Sequence, residues 1–327
     1  MEKPKLSMYW ASSCGGCEIA LVNLQEKMLE VDQHFDFFFC PCLLDTKKQD
    51  VEALPDGAIA ITFFNGAIRT AENLEMARLM RAKSQLLVAF GACSSMGAIP
   101  ALSNLHSRQA HMRTMYLDSP SLHNPAGTVP ALRTAMPEGE LELPEFFETV
   151  QSLPQVVAVD YFIPGCPPES HQIWNVVESV IRGTALPPKG TVLGAGVSSV
   201  CAECGREKNN KRIAAFRRTY ETVPDAHLCL LEQGLVCLGI ATRDGCGALC
   251  PQVNMPCTGC YGPPEGVTDQ GARMISALGS VLDLGDYKGV TEKQVSEKTD
   301  SAMAGLADPA GTFYKYSLSG AIWRNKP

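Results

Sequence analysis

Through the first half of the 327-residue chain, short runs of consecutive apolar residues alternate with segments in which apolar residues return every three or four positions. The runs at 6–10, 35–39, 58–64, 85–90 and 156–162 predict strands, and the segments between them predict helices. Behind the first run, Ala20, Leu21, Leu24, Met28 and Val31 mark the buried face of one helix. A second helix is expected over 70–83. A third, over 171–182, buries Ile173, Trp174, Val177, Val180 and Ile181 and stops at Gly183, since glycine commonly closes a helix. Strand and helix in repetition mean βαβ units and a parallel sheet.

The pattern then changes. Residues 103–140 hold Ser, His and Pro with few periodic apolar positions, which reads as a long insertion or surface loop without an assigned fold. Residues 183–190, with Gly194-Ala195-Gly196, are rich in residues that interrupt regular structure, so a domain boundary is expected there. The expected domains are 1–190 and 191–327. In the second, helices are expected over 211–220 and 270–283, the latter burying Met274, Ile275, Leu278, Val281 and Leu282.

Net charge is −7, from 28 Lys+Arg against 35 Asp+Glu, which argues against a nucleic-acid surface because phosphate binding needs concentrated positive charge. No apolar run reaches the roughly 18 residues of a membrane span. Fourteen cysteines are far more than packing requires. The first motif cysteine is already Cys14, leaving no room for a secretory leader, so a reducing cytoplasm and metal or redox use of the thiols are expected.

Cys14 and Cys17 follow the first predicted strand, Cys93 follows 85–90 and Cys166 follows the last. Ligands of an open parallel sheet gather beyond the carboxyl ends of its strands, so these four thiols can converge, and four convergent thiolates suit one iron–sulfur cluster. Gly15, Gly16, Gly91 and Gly165 allow close backbone approach. Helices starting near Cys17 and after Pro168 can aim N–H groups at a negatively charged cluster. The second domain carries Cys201, Cys204, Cys229, Cys237, Cys246, Cys250, Cys257 and Cys260, enough for two further sets of four. Zinc is the alternative there, because separated C-x2-C pairs are also zinc-like.

Ser13-Cys14-Gly15-Gly16-Cys17-Glu18, Gly91-Ala92-Cys93-Ser94-Ser95, Pro164-Gly165-Cys166-Pro167-Pro168 and Pro256-Cys257-Thr258-Gly259-Cys260 resemble segments of the small, iron–sulfur subunit of nickel–iron hydrogenases, over roughly residues 5–285. The segments 229–234 and 245–250 resemble most the cytoplasmic, methyl-viologen-reducing type that works with heterodisulfide reductase. The resemblance implies a flavodoxin-like, doubly wound parallel sheet followed by a mostly irregular and helical cluster domain. It implies three 4Fe-4S clusters: proximal on Cys14, Cys17, Cys93 and Cys166, medial on Cys246, Cys250, Cys257 and Cys260, and distal on Cys201, Cys204, Cys229 and Cys237. Respiratory relatives carry histidine where Cys201 stands and often lack one medial thiol. The implied partners are a nickel–iron large subunit, a small iron–sulfur adaptor subunit and heterodisulfide reductase. No catalytic residue is assigned to this chain. The rival within enzymes is the cluster subunit of a complex I-like quinone reductase, whose adjacent proximal cysteines differ from Cys14-Gly15-Gly16-Cys17; the rival outside them is a zinc-stabilised scaffold.

Glu18 complements a helix N-terminus or relays protons near a subunit interface. His106, His111, His123, His171 and His227 lack metal spacing, and Gly194-Ala195-Gly196 is linker rather than a dinucleotide loop. Arg206, Lys208, Lys211, Arg212, Arg217 and Arg218 form a charged run, either a solvated helix face or a docking surface for a redox partner. Cys40 and Cys42 read as packed thiols at a strand end, with no chemistry assigned. The tail bearing Phe313, Tyr314, Tyr316 and Trp323 has little core of its own and is expected to lie against another subunit.

Overall fold

The computed structural model describes residues 3–283, 285 and 289–322. They form two compact units that meet in sequence at Leu193 and Gly194. Trp323, part of the expected aromatic tail, lies outside the described residues.

The strands are β1 (Lys5–Trp10), β2 (Asp36–Phe39), β3 (Ile59–Asn65), β4 (Ile68–Thr70), β5 (Ser84–Phe90), β6 (Arg133–Met136), β7 (Gly139–Glu142), β8 (Phe146–Gln151) and β9 (Tyr161–Ile163). Five of them make a parallel sheet in the order β2-β1-β3-β5-β9, the flavodoxin-like winding. Alternation along β3 explains the two layers. Phe63 faces a core with Leu6, Met8, Leu21, Val88, Phe90 and Trp174, while Phe64 faces one with Tyr9, Ile68, Met76, Met80 and Leu87. Each such fully buried side chain contributes roughly 1.5–3 kcal/mol of apolar transfer. Helices Gly16–Val22, Lys27–His34 and Ser170–Ile181 supply the first core, and Ala71–Lys83, capped by Thr70 Oγ1 on the Asn73 N–H, supplies the second.

Three expectations for this unit are corrected. The single helix behind β1 is two, because Gln25 takes a left-handed φ of 54° and breaks the register between Leu24 and Met28, although Leu24 and Val31 stay buried. The run 156–162 is strand only from Tyr161, where Asp160 turns inward to bond the backbone of Leu87. Residues 103–140 are not structureless: a helix at Arg108–Arg113 and an exposed β6–β7 hairpin stand there, with Arg133 paired to Glu140 and Glu142 across the strands.

The second unit has little regular structure apart from helices Gln270–Val281 and Glu292–Met303. The first buries Met274 and Leu278, whereas Ile275 is exposed, and Val281 and Leu282 are half-buried. Residues 211–220 are not helical. Ile213 and Phe216 are buried at a spacing that imitates a helix, but the backbone bonds to distant segments instead, exchanging bonds between Ile213 and both Val281 and Asp283, and from Arg217 to Gly234. The tail packs on its own unit: Phe313, Tyr314 and Tyr316 are buried, and a Cβ on Gly271 would lie 2.4 Å from the Tyr314 ring. Among the described residues, no helix is long and apolar enough to cross a membrane.

Candidate functional site

The parallel register brings the carboxyl ends of β1, β5 and β9 to one edge of the sheet, and Cys14, Cys17, Cys93 and Cys166 follow those ends. Two backbone bonds clamp the β5 and β9 loops together, Gly91 N–H to Ile163 O at 2.8 Å and Ala92 N–H to Gly165 O at 2.7 Å. Gly91 sits at φ +83°, and any Cβ there would lie 2.4 Å from Cys17 Sγ, so only glycine brings this loop to the first cysteine pair. Burial pushes the Cys17 thiol well above its ordinary pKa, and Glu18, Cys93, Cys166 and Cys14 push it further. Cys93 is pushed up to about 12 by burial, then by Cys166, Cys14 and Glu18. The charges of Cys14 and Cys166 thus act on both Cys17 and Cys93, which places the four thiols in one neighbourhood.

Asn65, at the carboxyl end of β3, holds this edge. Its Nδ2 donates to both carboxylate oxygens of buried Glu18, at 2.8 and 2.7 Å, and to Ser13 Oγ at 2.9 Å. Burial raises the Glu18 pKa while the Asn65 bond opposes it. Nothing in the periodicity singled out Asn65; the available signal was one amide closing an apolar strand.

In the second unit, Cys201 is pushed up to about 11 by burial, then by Cys237 and Cys229, with Lys208 opposing and Cys204 adding. Cys237 is raised by burial and by Cys229 and Cys204, so these four thiols also share one field. Burial raises Cys257 too, then Cys237 and, more weakly, Cys260. Cys246 donates to Glu203 Oε1 at 3.6 Å, and the same carboxylate accepts the N–H groups of Gly245 and Ala248, fixing the loop that leads to Cys250. Cys250 itself is exposed. Val200, Ala248 and Cys257 form a small apolar centre against which Cys204, Cys237 and Cys246 pack.

The charged run beside Cys204 is divided in two. Arg206 is buried and structural: its guanidinium donates to the carbonyls of Pro251, Asp225 and Leu228 and to Asn254 Oδ1, a role that exposure could not supply. Lys208 donates to Cys201 O at 2.9 Å and, with Lys211 and Arg212, borders a cavity of about 300 Å³ that Cys201, Cys229 and Cys237 also line. His111 bonds Ser103 O and packs edge-on to His106.

The donor set fits a sulfur-bridged iron group. Buried thiols that repel one another's charge ligate as thiolates only when a positively charged group compensates them. Near the first set, the buried Asn65 Oδ1 and Ser94 Oγ have no hydrogen-bond partner.

The family described as NADH ubiquinone oxidoreductase, 20 Kd subunit, matches residues 14–180. The chain is 38% identical to the iron-sulfur subunit of the F420-non-reducing hydrogenase of Archaeoglobus profundus, covering 98% of both chains. It is 34% identical to a subunit of the F420-non-reducing hydrogenase of Methanothermobacter marburgensis, over 98% of this chain and 96% of that one. Among solved structures, a chain of the H2-activated [NiFeSe]-hydrogenase of Dm. baculatum shares the fold at a TM-score of 0.50 and 18% identity, covering 81% of this chain and 96% of that one.

Proposed function

The chain belongs to the NADH ubiquinone oxidoreductase 20 Kd subunit family, as the small, iron–sulfur subunit of a nickel–iron hydrogenase of the F420-non-reducing kind, and from that membership we propose that it conducts electrons through three 4Fe-4S clusters between a large subunit's nickel–iron centre and a downstream redox partner. The carrying observation is the distribution of thiols: four at one sheet edge in the first unit, and eight in the second, of which Cys201, Cys204, Cys229 and Cys237 share one field. The proximal set is Cys14, Cys17, Cys93 and Cys166; the distal set is Cys201, Cys204, Cys229 and Cys237; Cys246, Cys250, Cys257 and Cys260 make the medial set.

When bound, such clusters supply one-electron carriers whose potentials depend on ligation, hydrogen bonding and burial. The chain's own residues set those terms. Gly91 keeps the β5 loop against Cys17, Asn65 holds the Glu18 carboxylate beside the proximal thiols, and Arg206 ties the loops of residues 225–228 and 251–254 into one frame. Exposed Trp10, Ile19 and Ile99, which lie close in sequence to the proximal cysteines, suit burial by the large subunit. Lys208, Lys211 and Arg212 beside Cys201 suit an acidic electron acceptor, for which a small iron–sulfur adaptor and heterodisulfide reductase are the candidates in the cytoplasm.

The test is reconstitution. Prepared anaerobically, the isolated chain should show iron–sulfur absorption but no hydrogen-dependent viologen reduction, and should gain that activity with the nickel-bearing large subunit. Hydrogen oxidation by the chain alone would sink the proposal. Anaerobic co-purification identifies the acceptor.

A further inference from the structure

Two cysteines remain outside the three sets, and the fold places their sulfurs together. Cys40 directly follows β2, and the N–H groups of Leu43 and Leu44 both bond its carbonyl, at 2.9 and 2.8 Å, closing a tight turn over Pro41 and Cys42. That turn brings Cys40 Sγ to 3.4 Å from Cys42 Sγ. Cys40 is 1% exposed, in the same apolar core as Cys17, whereas Cys42 is open to solvent. One thiol of the pair is reachable from solvent, and the other is buried beside its neighbour's sulfur.

We propose that Cys40 and Cys42 form a reversible dithiol/disulfide couple, a modification site distinct from the cluster ligands, that answers to low-molecular-weight disulfides. Residues two apart in sequence are at most roughly 7 Å apart between Cα atoms, the outer limit for a disulfide, and the turn at 40–44 draws this pair closer than an extended chain would; the sulfurs, 3.4 Å apart, have to close to about 2.05 Å. In a reducing cytoplasm such bonds are transient and serve sensing rather than stability.

The steps balance with an external disulfide RSSR as oxidant. The Cys42 thiolate attacks one sulfur of RSSR, forming a Cys42–SR mixed disulfide and releasing RS−, which takes up a proton. The Cys40 thiolate then attacks Cys42 Sγ, forming the Cys40–Cys42 bond and releasing the second RS−. In sum, two protein thiols lose two electrons and two protons, and RSSR becomes two RSH. The order follows from access. Cys40 is pushed up to about 12 by burial and by its hydrogen bond with Cys42, and capping Cys42 removes the latter cause.

The experiment uses the anaerobically purified complex with its clusters in place. The complex is treated with oxidised glutathione, its free thiols are alkylated, and the peptide containing residues 40–42 is weighed, with iron and sulfide assayed in parallel. The expected wild-type peptide has lost two hydrogens, carries neither glutathione nor alkyl groups, and recovers both thiols after dithiothreitol, at unchanged iron content. Cys40→Ser should instead retain glutathione on Cys42, and Cys42→Ser should leave Cys40 as a thiol. The proposal is overturned if wild-type Cys42 keeps its glutathione as Cys40→Ser does, if both thiols are alkylated after treatment, or if Cys40 is found joined to a cysteine other than Cys42. Because Cys42 is on the surface, its serine variant tests the idea even if Cys40→Ser folds poorly.

Discussion

The backbone N–H of Cys257 donates to Cys237 Sγ at 3.3 Å, joining by one bond a cysteine of the proposed medial set to one of the distal set. A donor aimed at a ligating sulfur spreads the extra negative charge of the reduced state and so raises the potential. Under the proposed assignment the bond puts the two cysteines in direct contact, which would favour transfer between the clusters they hold. Burial pushes the Cys237 thiol up, and the N–H groups of Gly239 and Cys257 both pull it back.

The Gly239 donor can be removed by mutation. A Cβ at Gly239 meets Cys201 Sγ and Cys237 Sγ at ordinary contact, 3.5 and 3.6 Å, and Gly239→Pro deletes the N–H, its ring Cδ taking the hydrogen's place beside the Cys237 sulfur, so the iron content of the variant is assayed alongside its potential. The distal potential should fall while the proximal one stays. A redox titration followed by electron paramagnetic resonance checks it, and an unchanged distal potential means this donor does not tune the cluster.

Three sets of four thiols predict about twelve irons and twelve acid-labile sulfides per chain. Chemical assay of the anaerobic protein decides it. A count near eight means that one set, with exposed Cys250 the first suspect, does not hold a cluster.

Gly91→Ala should cost about 2–4 kcal/mol and release the proximal iron, because a non-glycine residue is strained at this backbone conformation and its Cβ overlaps Cys17 Sγ. Gly279→Ala is the control. It lies in an exposed stretch of helix with nothing within 4 Å of its Cβ, and should gain about 0.5–1 kcal/mol. Denaturant melts with iron assays separate the two; equal stability for both variants contradicts the argument.

The sheet was legible because its strands are short apolar runs between helical segments, and the placement of Cys14, Cys17, Cys93 and Cys166 at its edge was legible because each follows such a run. The second unit was less so. Ile213 and Phe216 have helical spacing, yet the bonds that bury them come from Val281, Asp283 and Ala302, far away in sequence. The same holds for what positions the thiols. Arg206 reads as one charge in a basic run, and only the tertiary fold brings three carbonyls to its guanidinium. The tail read as unpartnered because the groove that receives Tyr314 is made by a glycine, which leaves no apolar signature.

Asp160 links the start of β9 to the sheet. Its Oδ2 accepts from Arg81 at 2.5 Å and from the Leu87 N–H at 2.8 Å, and Lys189 lies 2.6 Å from Oδ1. Burial alone would raise its pKa, but the Lys189, Arg81 and Leu87 bonds outweigh burial and hold it below the usual carboxylate range. A depressed native pKa means stability that is complete above the unfolded value and lost as pH falls through the native one. Asp160→Asn should therefore cost about 1–2 kcal/mol at neutral pH, a modest figure because Lys189 is largely exposed. The gap to wild type should hold down to about pH 4 and narrow below it. Melts across that range check the sign, and a gap that widens on acidification rules it out.

The cleanest test of the exit end is Cys201, where respiratory relatives have histidine. Cys201→His should keep a four-iron cluster, because imidazole ligates iron in other iron–sulfur centres, and should raise its potential, because a neutral ligand replaces a thiolate. The substitution has room: Cys201 is half-buried and borders the cavity of about 300 Å³ with Lys208 and Lys211. Cys204→Ala removes a ligand with no substitute, and should lose or convert the distal cluster while the proximal signal survives. Spectroscopic titration of both variants distinguishes ligand from bystander. If Cys201→His leaves every potential where it was, Cys201 is not a ligand, and the set it shares with Cys204, Cys229 and Cys237 has to be redrawn.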